Sequence, residues 1–323
     1  MRIALVLGAG GTVGMAYHVG VLRALSQESG IDPTKCDLIV GTSAGSVIGA
    51  YLRSGLPLEE MWEQAFGENN TPAPKSTSNG AAVSKIFAPS FHNPLELVQH
   101  LVGSAFVLAR SAVRVPLPSI PKFLRHAFPG GMFSLGEGRQ RLEHDLPDQW
   151  PEKDLWLCAV DIVSGHRVVI GRDKRDRNFS LLSAVMASCA IPGVYPPIKY
   201  GNQILVDGGV HSTTNMDLAL AGRCDLVICV APMAFDTEDH SLVSLKKIVR
   251  RPPAITLAHE LAQVRQSGAT VLLFRPNRDE VEKHGFNMMR RVGLDDVASL
   301  AFNTTIEKLK TERFAKALDA VGR

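Results

Sequence analysis

The residues best suited to chemistry are Gly41-Thr42-Ser43-Ala44-Gly45, a Gly-x-Ser-x-Gly set between an apolar branched run at 38–40 and a small apolar stretch that continues to Ile48. A serine hydroxyl attacks well when it projects from a sharp strand-to-helix turn. There it is exposed, and the helix N-terminus favours negative charge developing on the substrate oxygen. Flanking glycines permit the strained backbone and leave room for substrate. The same residues also suit an ordinary strand–turn–helix junction, since Gly, Ser and Ala are common turn residues. A second group is the run Gly8-Ala9-Gly10-Gly11-Thr12-Val13-Gly14. Free backbone N–H groups in such a loop are built to hold something negative. A dinucleotide site requires Gly-x-Gly-x-x-Gly or Ala, and Val13 occupies the final small position. The competing use is an oxyanion hole, with consecutive glycine amides aimed at the oxygen of a tetrahedral intermediate. A third group, Asp207-Gly208-Gly209, closes a short apolar run at 203–206.

These groups need strands and helices to carry them. Residues 3–7 read as a first strand rather than a signal peptide, because the apolar run is short and leads into the glycine loop. Residues 13–26 space Ala16, Val19, Gly20, Leu22 and Leu25 as a helix. Two strand–loop–helix units in tandem place the glycine loop and Ser43 side by side at the carboxyl ends of neighbouring parallel strands. Residues 57–66 predict a short helix, and 134–146 a helix with Ser134 as N-cap and Glu137 completing a capping box. Residues 155–163 and 167–170 predict a hairpin across Ser164-Gly165-His166. A helix follows at 180–189, then strands at 203–206, 225–230 and 269–274 with helical segments between and after them, including one at 294–321. Alternating β and α elements predict an α/β fold of three layers, its central sheet mostly parallel and covered on both faces. The expected organisation is one domain over 1–323 with an insertion at 67–133.

That insertion opens with a polar stretch rich in Pro, Asn, Ser and Thr at 67–80, which reads as a loop. Residues 94–115 are mostly apolar, broken by Arg110 and Arg114. Six Lys/Arg against two acids make 67–133 +4, so the remainder of this +3 chain is about −1. An apolar, basic, helix-containing insertion fits a lipid-facing cap with peripheral membrane contact through 94–115. It fits equally a helix packed on the body with its charges in water. Apolar content of 45% with 21% charged residues is that of a globular protein with a sizeable core. A charge of +3 without a basic, aromatic-interleaved stripe gives no reason to expect nucleic acid. No zinc-type Cys/His spacing or Walker loop occurs, so neither metal nor cofactor is expected. The five scattered cysteines read as buried free thiols of a reducing compartment, which makes the expected location cytoplasmic. No run reaches the roughly 20 apolar residues of a membrane span.

Taken together, the glycine loop, Gly-Thr-Ser-Ala-Gly and Asp-Gly-Gly resemble the patatin-like phospholipase family, in particular its bacterial esterase-like members. Gly20-Val21-Leu22-Arg23-Ala24-Leu25 and the run from Ala187 to Ile198 leading into Leu205-Val206-Asp207-Gly208-Gly209 are similar as well. The resemblance covers residues 1–66 and 134–232. It implies a Ser–Asp dyad that cleaves lipid acyl esters through an acyl-enzyme, with Ser43 as nucleophile and Asp207 as general base. Gly10 and Gly11, helped by Ala44, would supply the oxyanion-hole amides. Gly8, Gly14, Gly41, Gly45, Gly208 and Gly209 would support the motifs. The loop departs from the family pattern at Gly8, Ala9 and Val13, where Asp, Gly and a basic residue are usual. Downstream, Asn215 is followed by Met216 instead of leading to Pro.

Two other functions are compatible with parts of the sequence. A Ser-His-Asp α/β-hydrolase could draw on His211, His240, His259 or His284, although only about two strands precede Ser43 whereas that fold places more before its nucleophile. A non-catalytic nucleotide- or lipid-binding module could use the glycine loop alone.

Overall fold

Strands Ile3–Leu7 (β1), Leu38–Thr42 (β2) and Leu226–Val230 (β7) are almost wholly buried runs of Val, Ile, Leu and Ala. Such unbroken apolar runs suit parallel strands covered on both faces rather than half-solvated ones. A computed structural model describes residues 1–67, 136–236, 245–312 and 314. Along the chain the remaining elements are the helices Gly11–Ser29 (α1), Ala44–Arg53 (α2), Leu58–Gly67 (α3) and Gly136–Asp145 (α4), and the strands Asp154–Asp161 (β3) and Arg167–Ile170 (β4). Then come Leu181–Ser188 (α5), Ile198–Tyr200 (β5), Gln203–Asp207 (β6), Leu218–Ala221 (α6), Leu245–Gln266 (α7), Thr270–Phe274 (β8), Arg278–His284 (α8) and Leu294–Leu309 (α9).

The chain forms two compact units. The first comprises Met1–Thr71, Pro151–Trp156 and Ser212–Arg323; the second comprises Pro72–Trp150 and Leu157–His211. In the first, β2, β1, β7 and β8 run parallel in that order, with Leu7 level with both Gly41 and Val230. The loops that follow β1, β2 and β7 therefore emerge at one edge. Helix α1 packs against α2, α3 and α9. In the second unit, β5, β6, β3 and β4 pair antiparallel. Asp161 organises its hairpin: the buried carboxylate accepts from the N–H groups of Val163, Ser164 and Ile204 and from Ser164 Oγ.

The α/β class, the parallel sheet and the predicted strands stand as the sequence implied. The helix predicted at 134–146 is α4, and its expected cap, Ser134, lies outside the described residues. So do almost all of the expected insertion at 67–133, the stretch 94–115, His240 and most of the chain after 312. Four cysteines, Cys36, Cys158, Cys224 and Cys229, are buried free thiols, and Cys189 is half-buried. Among the described residues no helix is long and apolar enough to cross a membrane.

One cation fastens the far end of the elbow helix. Arg53, the last residue of α2, donates through Nη1 to Thr34 O at 2.9 Å and through Nη2 to Cys36 O at 2.8 Å and Asp154 O at 3.0 Å. A charged donor shared by three carbonyls on two segments contributes more than a neutral one, and its loss strands partly buried acceptors. Arg53→Leu should lower unfolding free energy by about 2–3 kcal/mol in urea titration. A loss below about 0.5 kcal/mol, the range of an ordinary surface substitution, would show that these bonds only replace equivalent ones to water.

Candidate active site

Ser43 lies between the last residue of β2 and the first of α2, with φ 53° and ψ −118°. That is a left-handed backbone for a residue with a Cβ, at a cost on the order of 1–3 kcal/mol. Three neighbours hold it. Ser46 N–H donates to Ser43 O at 2.8 Å, closing the first turn of α2. Gly45 lets that turn sit on the end of β1, because a Cβ there would lie 1.9 Å from Leu7 O. Thr42, fully buried, accepts through Oγ1 from Asn215 Nδ2 at 3.0 Å. The strand-to-helix turn expected at 41–45 is therefore present, and its serine is 5% exposed.

The glycine loop follows β1 directly beside it. Gly8 N–H donates to Val230 O at 2.9 Å and Ala9 N–H to Thr213 O at 2.7 Å, while His18 Nε2 pairs with Gly8 O at 2.8 Å. Gly11 has φ 60°, and a Cβ on it would lie 2.5 Å from Met288 O; one on Gly10 would lie 2.7 Å from Gly14 Cα. No larger residue fits this path. A Cβ on Gly14 would stand 3.8 Å from Ala44 Cβ, so the first turns of α1 and of the elbow helix run close together. Among the described residues, the N–H groups of Gly10, Gly11 and Ala44 have no acceptor. They are the first orphan donors of α1 and α2, polar groups available to an anion. Ser43, Ala44, Gly10 and Gly11 are thus brought together within the first unit.

Asp207 ends β6 in the second unit. It is buried, and its Oδ1 accepts from Gly209 N–H at 2.7 Å, fixing the Asp-Gly-Gly turn. Gly208 is required there because a Cβ would lie 2.4 Å from Cys158 O. Of the histidines considered for a triad, His211 and His259 are exposed. His284 is buried, with Nδ1 3.2 Å from the Arg250 guanidinium. Among the described residues no group of His, Cys, Asp and Glu is disposed to hold a metal.

Several supporting residues escaped sequence reasoning. Glu260 on α7 is buried and accepts from Thr214 Oγ1 at 2.6 Å and Met216 N–H at 3.0 Å, holding the loop that carries Asn215 and Thr213. Burial raises its pKa against these stabilising bonds. Asn215 itself has φ 52°. Arg250, buried and drawn down to about 10 by desolvation, donates to Pro232 O, Ala234 O and His284. The only local signal was a polar residue inside an apolar helical stretch, as with His18 and Glu260.

Burial lowers His18 from 6.5 to about 4, and burial together with the charges of Arg250 and Arg290 lowers His284 from 6.5 to about 3. His18 Nδ1 has no partner among the described residues, so a second proton there would be unpaired, and a second proton on His284 would go to Nδ1, against the Arg250 guanidinium. Both groups bind protons more tightly unfolded, so their contribution to stability is complete above pH 6.5 and is lost as pH falls toward 4 and then 3. Glu260, with a raised pKa, acts in the opposite direction, but one carboxyl is outweighed by two strongly shifted imidazoles. The thermal midpoint should therefore fall steadily from pH 6.5 to pH 4; a flat profile over that window would contradict the neutral, buried assignment of these rings.

A family model for patatin-like phospholipase matches residues 5–220. An uncharacterized NTE family protein of Mycobacterium bovis is 25% identical over 237 residues, which is 71% of this chain and 30% of that protein. Lysophospholipase nte1 of Aspergillus fumigatus is 27% identical over 228 residues, 71% of this chain and 12% of that one. The chain thus spans less than a third of the length of these relatives. Among solved structures, VipD from Legionella pneumophila aligns with 99% of this chain and 66% of its own, at 14% identity and a TM-score of 0.44. On the family match, which covers well over half of the sequence, the chain belongs to the patatin-like phospholipase family.

Proposed function

We propose that this chain is a serine hydrolase of lipid acyl esters that works by a Ser43–Asp207 dyad. The observation that carries the reading is the strained backbone of Ser43 at a strand-to-helix elbow, beside a loop in which the Gly10 and Gly11 amides have no acceptor among the described residues. Serine oxygen is a poor nucleophile unless its proton is removed during attack. In the proposed reaction Asp207 takes that proton as Ser43 Oγ bonds to the ester carbonyl carbon. Negative charge moves to the carbonyl oxygen, which the N–H groups of Gly10, Gly11 and Ala44 receive. Collapse breaks the ester bond, and the departing alcohol leaves with the proton from Asp207. Water, deprotonated by Asp207, then attacks acyl-Ser43; collapse releases the fatty acid and returns the proton to Ser43.

Burial suits the oxyanion role, since oriented amides act more strongly away from water. The state of His284 supports a dyad over a triad. An imidazole held near pKa 3, with Nδ1 facing a guanidinium, is a poor base at neutral pH. The family and the lysophospholipase relative support lipid acyl esters as the substrate class, with monoacyl phospholipids the first to try.

Ser43→Ala and Asp207→Asn should each abolish hydrolysis of p-nitrophenyl esters and lysophospholipids, with the double variant little worse than either, because members of one catalytic unit are not additive. Activity above about a tenth of wild type in either single variant would overturn the dyad, since a true member loses several powers of ten. Gly10→Val should lower kcat by roughly 100-fold if one donor is lost. An effect confined to KM would instead make the loop a substrate-binding element.

A further inference from the structure

The loop from Gly285 to Gly293, joining α8 to α9, presents two different edges. Its inner edge supports the glycine loop. Met288 O accepts from Val13 N–H at 3.1 Å, and Arg290 O accepts from Thr12 Oγ1 at 2.6 Å. The base of the loop is pinned as well, with His284 edge-on to Tyr17 at 5.2 Å and Arg250 Nη2 3.5 Å from Met288 Sδ. Its outer edge carries Phe286, 61% exposed, and Val292, 75% exposed. Single exposed apolar residues are ordinary on a protein surface. Here two of the four most exposed large apolar side chains among the described residues fall in one short loop. That loop also contains Arg290 and the exposed Arg291 and no carboxylate.

We infer that this loop is where the protein seats on an anionic phospholipid surface, with Phe286 and Val292 entering the interface and Arg291 meeting lipid phosphates. The inference rests on the reading of the chain as a lipid hydrolase and adds how it meets its substrate. Apolar side chains beside cations match the layered chemistry of a membrane interface, an acyl interior beneath anionic head groups. A second copy of this chain would meet the same two arginines as like charges. The pinned backbone presents both apolar side chains with little ordering left to lose. Because the same backbone supports Thr12 and Val13, seating occurs beside the amides proposed to receive the oxyanion.

The test is co-sedimentation of the full chain, in a Ser43→Ala background so that vesicles stay intact, with vesicles of phosphatidylcholine alone or mixed with phosphatidylglycerol. Binding should require phosphatidylglycerol and weaken with salt. Phe286→Ser with Val292→Ser should lower the partition coefficient roughly tenfold or more, and Phe286→Leu should retain it. Arg291→Ala should lower it about fivefold on anionic vesicles. Thermal midpoints of the variants, unchanged from the parent, would separate a surface effect from misfolding. The inference is overturned if the chain does not bind, if binding ignores these substitutions, or if the substitutions disperse a self-associated form that has no affinity for lipid. Hydrolysis of a short soluble ester by wild type and Ser43→Ala, assayed in parallel, keeps the two readings apart. Activity that needs Ser43 without loop-dependent binding refutes the seat alone. Loop-dependent binding with ester hydrolysis indifferent to Ser43 refutes the serine mechanism and leaves the seat standing.

Discussion

The first unit is organised around a backbone that no isolated peptide would hold. Ser43 at φ 53° has to be kept there by everything around it, because the strain of a single such residue is comparable to a large share of a domain's net stability. The arrangement works because β1 and β2 are in parallel register, with Leu7 opposite Gly41. That register brings the first turn of α2 onto Leu7 O, where only hydrogen fits at the Gly45 α-carbon. Parallel register, close approach and strained serine are therefore one feature seen at three scales.

Charge buried behind the site supports it further. Glu260 and Arg250 are both nearly inaccessible, yet each is met by several hydrogen bonds, as buried charges must be. Glu260 fixes the loop 212–216, whose Thr213 carbonyl takes the Ala9 amide and whose Asn215 reaches Thr42. Arg250 fixes Pro232 and His284, the walls on which Gly10 and the 285–293 loop rest. The two loops of the candidate site thus have a carboxylate brace on one side and a guanidinium brace on the other.

What the sequence revealed and what it hid follow the reach of each interaction. Buried parallel strands appear as unbroken apolar runs, so β1, β2 and β7 were legible, and half-buried β8 shows as a short apolar run as well. So was the elbow, because glycine is forced at Gly45 by sterics that any residue type would report. The braces were not legible: Asn215 contacts a residue 173 positions away, and Glu260 one 46 away. Nothing local distinguishes either from a surface polar residue. Helix α7 misleads for a different reason, since Pro252 and Pro253 punctuate the sequence yet lie inside it. The three-residue strand β5, preceded by consecutive prolines, was too short to show a period.

The bonds from Thr12 and Val13 to residues 288 and 290 span nearly the whole sequence. Contacts that distant form late, after a large loop-closure entropy has been met. During synthesis the elbow and glycine loop precede the 285–293 loop, so the glycine loop's last supports follow only when that loop has emerged. Until residues 288 and 290 have been made, Val13 N–H and Thr12 Oγ1 lack the acceptors that hold the start of α1 in the folded protein. Order of synthesis alone therefore sets completion of the glycine loop's supports after the turn that carries Ser43.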